Sequence, residues 1–470
     1  MTLAQELASL LGPGAILDGA DRRAREYLAD ATEWRAIRGR ADAVALPGSG
    51  AEAAAVLRWC YEHDVPLIPR GGGSGFAGGA VPLEGGVVLS TERLVGPIRI
   101  DPGQWRAEVP AGVVTAHLHR RARENGLYFP PDPGASDQSM LGGNVATNAG
   151  GPHTFKYGVT GHWVTGLEVV VAPGELIRLG GPVRKDVAGY DLRSLVIGSE
   201  GTLAIVTSAW LRLIPAPETA LPVAAVYPDL SSGCRAVAAV MGSGLIPATL
   251  EFLDEATLNA SSGGLIAAVP ELATDIRDRA GFLVISEADG RRDEAQAVRQ
   301  ELAEIMSDGA LGLHAPTAPA DVSALWSWRG GVSMAVAAQR GGKLSEDIVV
   351  PVDQIEPALR AVSEIGLRYE LPTCCWGHAG DGNLHATFML DRDESVELER
   401  AETASQELFD LAIRLGGSVS GEHGIGLVKR GALERQWGAT AVSLHEQVKR
   451  LFDPKGLLNP GKKLARPGVL

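Results

Sequence analysis

Ten residues, RGGGSGFAGG (70–79), hold six glycines between two short apolar runs, VPLIP (65–69) and VVLS (87–90). Such a loop constrains the fold, because glycine admits backbone conformations closed to other residues and lets a ligand approach the main chain. Gly73, Gly75 and Gly78 satisfy G-x-G-x-x-G, the spacing of a dinucleotide-binding turn. That turn follows a strand and opens a helix whose N-terminus faces a pyrophosphate. Here the loop runs into GAVPLEGGVVLS, where Pro82, Gly85 and Gly86 exclude a long helix. The order is strand, glycine loop, strand. It is either a glycine-rich hairpin or a nest of inward-pointing N–H groups that holds a phosphate, with Arg70 adding charge.

The 470 residues predict two to four domains, and 45% hydrophobic residues suffice for a sizeable core. Asp and Glu exceed Lys and Arg by 57 to 43, which argues against a general nucleic-acid binder. The four cysteines, Cys60, Cys234, Cys374 and Cys375, are too few for a disulfide framework and point to a reducing compartment. MTLAQELASLLGPG carries no basic n-region or cleavage pattern, and no apolar run reaches the roughly 18 residues of a membrane span.

Residues 1–35 read as an amphipathic helical segment. Ser49 and Glu52 form a capping-box pattern ahead of a helix over 51–63. Residues 130–151, PPDPGASDQSMLGGNVATNAGG, read as a long functional loop. Strands are expected over 166–173 and 201–215. Pro-rich PAPETALP (215–222) marks a boundary near 217, after which strands alternate with helices: a strand over 281–290, a helix over 291–306, a strand over 384–390 that puts His385, Thr387 and Met389 on one face, and a helix over 394–417. KRLFDPKGLLNPGKK returns to turn chemistry.

PRGGGSGFAGG, PPDPGASDQSMLGGNVATNAGG and KDVAGYDLRSLVIGSEGTLAIVT resemble the FAD-binding domain of the vanillyl-alcohol oxidase / para-cresol methylhydroxylase (PCMH) superfamily. CCWGHAGDGNLH, SGEHGIG and FDPKGLLNPGK are similar to its D-2-hydroxy-acid dehydrogenase branch, which includes glycolate oxidase catalytic subunits, D-lactate dehydrogenases and D-2-hydroxyglutarate dehydrogenases. The resemblance spans nearly the whole chain in order. It implies an α+β fold: an N-terminal segment (1–35), a two-part PCMH-type FAD-binding domain (36–217), a substrate (cap) domain with an antiparallel sheet and a metal site (218–455), and a C-terminal segment returning to the FAD domain (456–470).

The same resemblance places FAD. Arg70, Gly71, Gly72, Gly73, Ser74, Gly75, Gly78 and Gly79 would cradle the pyrophosphate. Pro131, Asp132, Gly142, Gly143, Asn144, Thr147, Asn148 and Gly150 would line the second loop. Glu200, Gly201, Ile205 and Val206 would hold the adenine and ribose end, and Asn459 would reach back to the flavin. Some superfamily members attach FAD through a His in the first glycine loop. This loop has none, so non-covalent FAD is expected.

His378 and His385 flank the glycine turn AGDGN, and Glu422 and His423 sit between glycines in SGEHGIG. The family pattern makes His378, His385 and Glu422 ligands of a divalent metal, His423 the catalytic base and Asn383 a contact for substrate or flavin. Two His and a carboxylate suit zinc with one position left for substrate, and manganese or iron also accept such ligands. Some relatives carry a His where Trp376 stands. WSWRGGVSMAV (326–336) resembles the segment whose Arg clamps the substrate carboxylate. That makes Arg329 the clamp; Ser333, four residues on, shares its face if the segment is helical, and Lys343 in GGKLSEDIVVP is a further, weaker candidate. Cys374 and Cys375 read as small buried residues, Trp326 and Trp328 as packing, and Tyr190 and Asp191 as turn and packing residues, with Lys185 a candidate phosphate neighbour.

The expected activity is oxidation of a D-2-hydroxy acid to the 2-oxo acid by hydride transfer to flavin N5. Electrons would then pass to an electron-transfer flavoprotein, a quinone or a partner subunit. The alternatives are a non-redox transferase like alkyl-dihydroxyacetone-phosphate synthase, and a flavin-binding subunit without turnover. The expected location is cytoplasmic, peripheral to the inner membrane only through an acceptor. Which acid is oxidised, and whether the chain forms a homodimer, stay open.

Overall fold

The computed structural model describes residues 2–12, 14–269, 272, 279–392 and 394–464. Two units divide the chain. Unit 1 takes Met1–Gly151, Gly158–Ala216 and Glu422–Leu470, and unit 2 takes Pro152–Tyr157 and Pro217–Gly421.

Unit 1 begins with four short strands, β1 (Ile16–Asp18), β2 (Ala43–Ala45), β3 (Leu67–Arg70) and β4 (Val87–Ser90), in the order β1-β2-β4-β3. β3 and β4 flank the glycine loop and run parallel, with Leu67 opposite Val87 and Arg70 opposite Ser90. A hairpin would make them antiparallel, so the loop is a crossover connection made of turns instead of a helix. The helix Gly50–Glu62 packs Ala53, Val56, Leu57 and Cys60 into a core with Ala43, Leu67, Val87 and Leu89. Its cap is shifted from a full capping box. Ser49 Oγ accepts from Glu52 N (3.2 Å), while the Glu52 carboxylate accepts from Gly48 N (2.7 Å).

A second, antiparallel sheet joins β5 (Arg99–Asp101), β6 (Arg106–Pro110), β8 (Val164–Val171), β9 (Glu175–Gly180) and β10 (Ile205–Arg212) in the order β5-β6-β10-β8-β9. Separately, β7 (Leu127–Tyr128) pairs with β11 (Ile214–Pro215). Three expectations change here. Residues 1–35 are not a helical segment: after the helix Leu3–Leu11 comes β1, then 3₁₀ turns over Arg22–Tyr27 and Ala31–Arg35. A three-residue strand is too short to show a period, so Ala and Leu around it read as helix. The stretch 130–151 contains a two-turn helix, Leu141–Thr147, ended by Asn148 in the left-handed region. The return to unit 1 starts at Glu422, earlier than residue 456.

Within unit 1 the C-terminal segment is pinned to β3. Leu458 bridges Leu67 in parallel, and Asn459 N donates to Leu67 O at 2.7 Å. Asp453, 1% exposed, accepts from Lys449 Nζ (2.5 Å), Leu457 N (3.1 Å), Leu458 N (2.8 Å) and the Tyr61 hydroxyl.

Unit 2 is built on one antiparallel sheet of seven strands. They are β12 (Thr219–Tyr227), β13 (Thr249–Asp254), β14 (Phe282–Gly290), β15 (Gly312–His314), β16 (Gly341–Val349), β17 (Thr373–His378) and β18 (Asn383–Asp391), in the order β15-β12-β14-β13-β17-β18-β16. Helices Glu255–Ala268 and Pro319–Arg340 cover one face, where Leu258, Leu265, Leu325, Val332 and Val336 pack on Leu253, Leu283, Ile285 and Trp376. Helices Leu230–Gly242, Arg292–Ser307 and Ile355–Arg368 lie on the other, against Phe282, Tyr227 and Thr373. The short segment Pro152–Tyr157 is held to β14: Lys156 Nζ meets Asp289 (2.5 Å), Tyr157 donates to Asp289 (2.6 Å) and His153 meets Glu287 (3.3 Å).

Asp453→Ala leaves several buried donors without an acceptor, so unfolding by denaturant should show a loss of about 3 kcal/mol. A loss under about 1 kcal/mol would mean that water replaces the carboxylate there.

Candidate functional site

The chemistry-bearing residues fall into two groups, one in each unit. In unit 1 the glycine loop stands directly after β3. Arg70 is 9% exposed and lines the cavity beside Gly73 and Ser74 while it holds backbone. Its guanidinium donates to Ala29 O (2.6 Å) and Glu26 O (3.0 Å), and it fills the space where a side chain at Gly73 would stand. Gly73 has φ +69°, so the loop requires glycine there on both counts. A side chain at Gly72 would collide with Gln138 O, which brings the second loop against the first. Gly75 differs: among the described residues, its chain neighbours aside, nothing lies within 4 Å of where its Cβ would be. Its smallness is not explained by protein packing, which fits a site kept open for a cofactor.

The side chains assigned to the second loop are largely engaged in shaping it. Asn144 Nδ2 donates to Thr115 Oγ1 (2.7 Å), Thr147 Oγ1 to Gly143 O (3.1 Å), and Asn148 Oδ1 accepts from Gly161 N (2.8 Å). Glu200, with φ +55°, accepts from Ile425 N (2.9 Å) and Gly426 N (2.6 Å). Asn459 Nδ2 donates to Gly79 O (2.9 Å) and Glu200 O (2.7 Å). Apart from Asn144, which binds a side chain, these residues hold backbone. A cavity of about 520 Å³ opens beside Gly73 and Ser74, lined also by Phe76 and Asp30. Asp30 is 7% exposed and its Oδ2 has no partner; burial pushes its carboxyl up. The His423 ring lies 4.7 Å from that of Phe76.

In unit 2 the register puts polar residues in rows across one sheet face. Residues directly opposite on neighbouring strands share a face. One row reads Glu251, His378, Asn383, Val349, and the next Leu253, Trp376, His385, Asp347. Cys374, Thr387 and Ser345 follow, then Met389 and Lys343. Glu251 and Asp347 are fully buried, and Asn383, His378 and His385 are 4%, 5% and 8% exposed. The His378 and His385 rings meet edge to face at 5.4 Å. His378 Nδ1 is 2.5 Å from Glu251 Oε1, and Glu251 Oε2 accepts from Arg329 Nη2. Burial pushes the Glu251 carboxyl up, but His378 and Arg329 beside it outweigh burial and the net direction is down.

The segment 326–336 is helical, within Pro319–Arg340, so Arg329 and Ser333 share a face. Lys343 Nζ donates to Ser333 Oγ and lies 5.1 Å above the Trp376 ring. Burial lowers the Lys343 ammonium to about 8. Arg329 Nε and Asn383 Oδ1 are buried with no hydrogen-bond partner among the described residues. Cys374 and Cys375 are buried, their thiols pushed up by burial, which fits inert packing residues. Trp326 and Trp328 donate to Glu287 (2.7 Å) and Ser261 O (3.1 Å). Tyr190, expected to pack, is 95% exposed, while Asp191 caps the helix Leu192–Val196.

Two residues here escape sequence reasoning. Glu251 holds His378 and Arg329. Asp347 faces His385 and accepts from Gly421 N (2.7 Å) and Ser420 Oγ (3.2 Å). Gly421 has no room for a side chain, because its Cβ would collide with the Asn383 amide. Glu251 and Asp347 both lie in strands with other polar and acidic residues, ATLEFLDE and KLSEDIVV, so composition does not single them out.

This fold and these two groups define a flavin-linked oxidoreductase. The chain belongs to the family described as FAD linked oxidases, C-terminal domain, matched over residues 216–463, and residues 41–180 match the FAD binding domain. Glycolate oxidase subunit GlcD of Bacillus subtilis is 38% identical over 90% of this chain and 89% of its own length. D-lactate dehydrogenase of Archaeoglobus fulgidus is 36% identical over 89% and 90%, and D-2-hydroxyglutarate dehydrogenase of Xanthomonas citri is 35% identical over 89% and 88%. Among solved structures, p-cresol methylhydroxylase with substrate bound has a TM-score of 0.78 at 17% identity over 99% of this chain and 97% of its own. An alkyldihydroxyacetonephosphate synthase scores 0.78 at 20% identity over 97% and 85%. At such identities both likenesses concern the fold. Among the described residues no helix is long and apolar enough to cross a membrane.

Gly75→Asp places a charge in the loop without a collision. The purified variant should retain about tenfold less FAD than wild type at unchanged melting temperature, since like charges close together repel strongly where water is scarce. Full flavin absorbance in that variant would move the pyrophosphate away from this loop.

Proposed function

We propose that the protein oxidises a D-2-hydroxy acid to the corresponding 2-oxo acid, with non-covalent FAD and one divalent ion. The observation that carries this is the gathering of Arg329, Ser333, Lys343, Asn383, His378 and His385 on one face of the unit 2 sheet. The names of the relatives, which include D-lactate and D-2-hydroxyglutarate dehydrogenases, support the substrate class.

Bound FAD supplies the acceptor for the two electrons that leave C2 of the substrate as hydride, and a divalent ion supplies a Lewis acid for the substrate's oxygens. His378 and His385 are neutral-nitrogen donors of the kind zinc, manganese and iron accept, and Glu422 follows Gly421, whose N–H is fixed by Asp347. That donor chemistry fits a His, His, carboxylate set. In unit 1 the glycine loop, with open space at Gly75, fits a pyrophosphate held by main-chain N–H groups.

Arg329 binds the substrate carboxylate with its planar fork, and its unpartnered buried Nε is a donor available for that bond. Ser333 and the Lys343 ammonium bind the remaining acid oxygens or the side chain of the acid. Asn383 orients the substrate through its open Oδ1. His423 accepts the hydroxyl proton as the hydride leaves, so that the alcohol becomes a carbonyl with atoms and charge in balance. An electron-transfer flavoprotein, a quinone or a partner subunit would take the electrons onward.

Anaerobic mixing with a panel of D-2-hydroxy acids should bleach the flavin for at least one acid and leave it yellow with the L-enantiomers. No bleaching by any acid would favour the transferase or the non-catalytic subunit. Arg329→Lys should raise KM by about tenfold or more, because the fork is lost while the charge stays. His423→Ala should lower kcat by about 10²–10⁴-fold with FAD and metal retained. Wild-type flavin reduction in His423→Ala would require another base.

Lys343 adds a pH signature. Its ammonium is lost above about 8, so KM should rise as pH passes through that value. Lys343→Met should have a higher KM at neutral pH and no such rise. An identical pH profile in both proteins would remove Lys343 from substrate binding.

A further inference from the structure

We infer that Glu251 is a positioning residue whose one carboxylate orients the metal ligand His378 and the carboxylate clamp Arg329 together. The inference rests on the proposed function and extends it to a residue that touches neither substrate nor cofactor in that account.

The geometry is specific. Glu251 lies mid-strand in β13, directly opposite His378 on β17. Its Oε1 is committed to His378 Nδ1 at 2.5 Å and its Oε2 to Arg329 Nη2, and the side chain is wholly buried. An ionised carboxylate only accepts hydrogen bonds, so in the neutral imidazole Nδ1 carries the proton and Nε2 is the nitrogen with ligand character. A carboxylate behind a ligating imidazole fixes its tautomer and rotation and raises its basicity. The same carboxylate balances the buried Arg329 charge and fixes one edge of its fork, leaving Nε unpartnered. Metal affinity and substrate affinity are thereby tied to one side chain, and Arg329 and His378 compete for its charge.

The competition gives Arg329 a predicted effect on metal opposite in sign to that of a packing residue. Removing the guanidinium leaves the whole carboxylate charge to His378, so Arg329→Met should hold metal as tightly as wild type or more tightly. Glu251→Gln should weaken it by about 10–100-fold. Glu251→Gln alone leaves Arg329 buried without a counter-charge, and this variant can lose its fold on that account. The double variant E251Q/R329M carries no such charge and should show the same metal loss with FAD content and melting temperature near wild type.

The experiment titrates Zn²⁺, and separately Mn²⁺, against a competing chelator on the FAD-loaded full chain, with metal read by elemental analysis. The expected result is metal bound about 10–100-fold more weakly in E251Q/R329M and no weakening in Arg329→Met. Equal affinity in wild type and the double variant, or equal weakening in Arg329→Met and the double variant, would overturn the role given to Glu251. A wild-type protein that binds neither ion would overturn the proposed metal site itself, and this inference with it.

Discussion

The buried carboxylate of Glu251, shared between an imidazole and a guanidinium, is the contact on which the unit 2 site depends. A lone charge at that depth would cost several kcal/mol, and so would Arg329 without it. Together they form a neutral, hydrogen-bonded pair that a sheet can bury, with His378 attached. On β16, Asp347 acts in a related way, fixing Gly421 and Ser420 beside His385. The helices over this face supply apolar cover at one end through Leu325, Val332 and Val336. Polar residues at the other end therefore interact with little screening by water, which strengthens a charge-assisted bond to an anionic substrate.

Unit 1 solves a different problem. A flat, doubly phosphorylated cofactor needs main-chain donors without intervening side chains. In the proposed account the loop after β3 would supply them, with Arg70 holding Ala29 and Glu26 and the parallel pairing of β3 with β4 fixing both ends of the loop. The C-terminal segment adds a strap, from Asp453 and Asn459, onto the same strand and the Gly79 carbonyl. Asn148, Glu200 and Asn459, which the sequence motifs single out, also hold backbone in place.

Much of this is legible in the sequence. The glycine loop with strands at both ends, the capped helix after Ser49, the helices Arg292–Ser307 and Ser395–Arg414 of unit 2 and the shared face of His385, Thr387 and Met389 follow from period and turn chemistry. Glu251 is not legible. In the alternating run Thr249, Glu251, Leu253 a glutamate reads as facing water, and only the helix that brings Arg329 over the strand buries it. The structural partners of Arg70 are hidden for a similar reason: they are the carbonyls of Ala29 and Glu26, distant in sequence. The parallel pairing of β3 and β4 is also hidden, since strand direction depends on how the connection crosses.

The central claim is that one face of the unit 2 sheet holds both the metal and the acid. Anomalous diffraction at the zinc edge, from crystals of the FAD-loaded protein grown with Zn²⁺ and a 2-oxo acid, tests it most directly. One peak per chain at His378 Nε2 and His385, with the acid's carboxylate on Arg329, is the predicted result. A zinc peak elsewhere in a catalytically competent protein, or an acid bound away from Arg329, would contradict it.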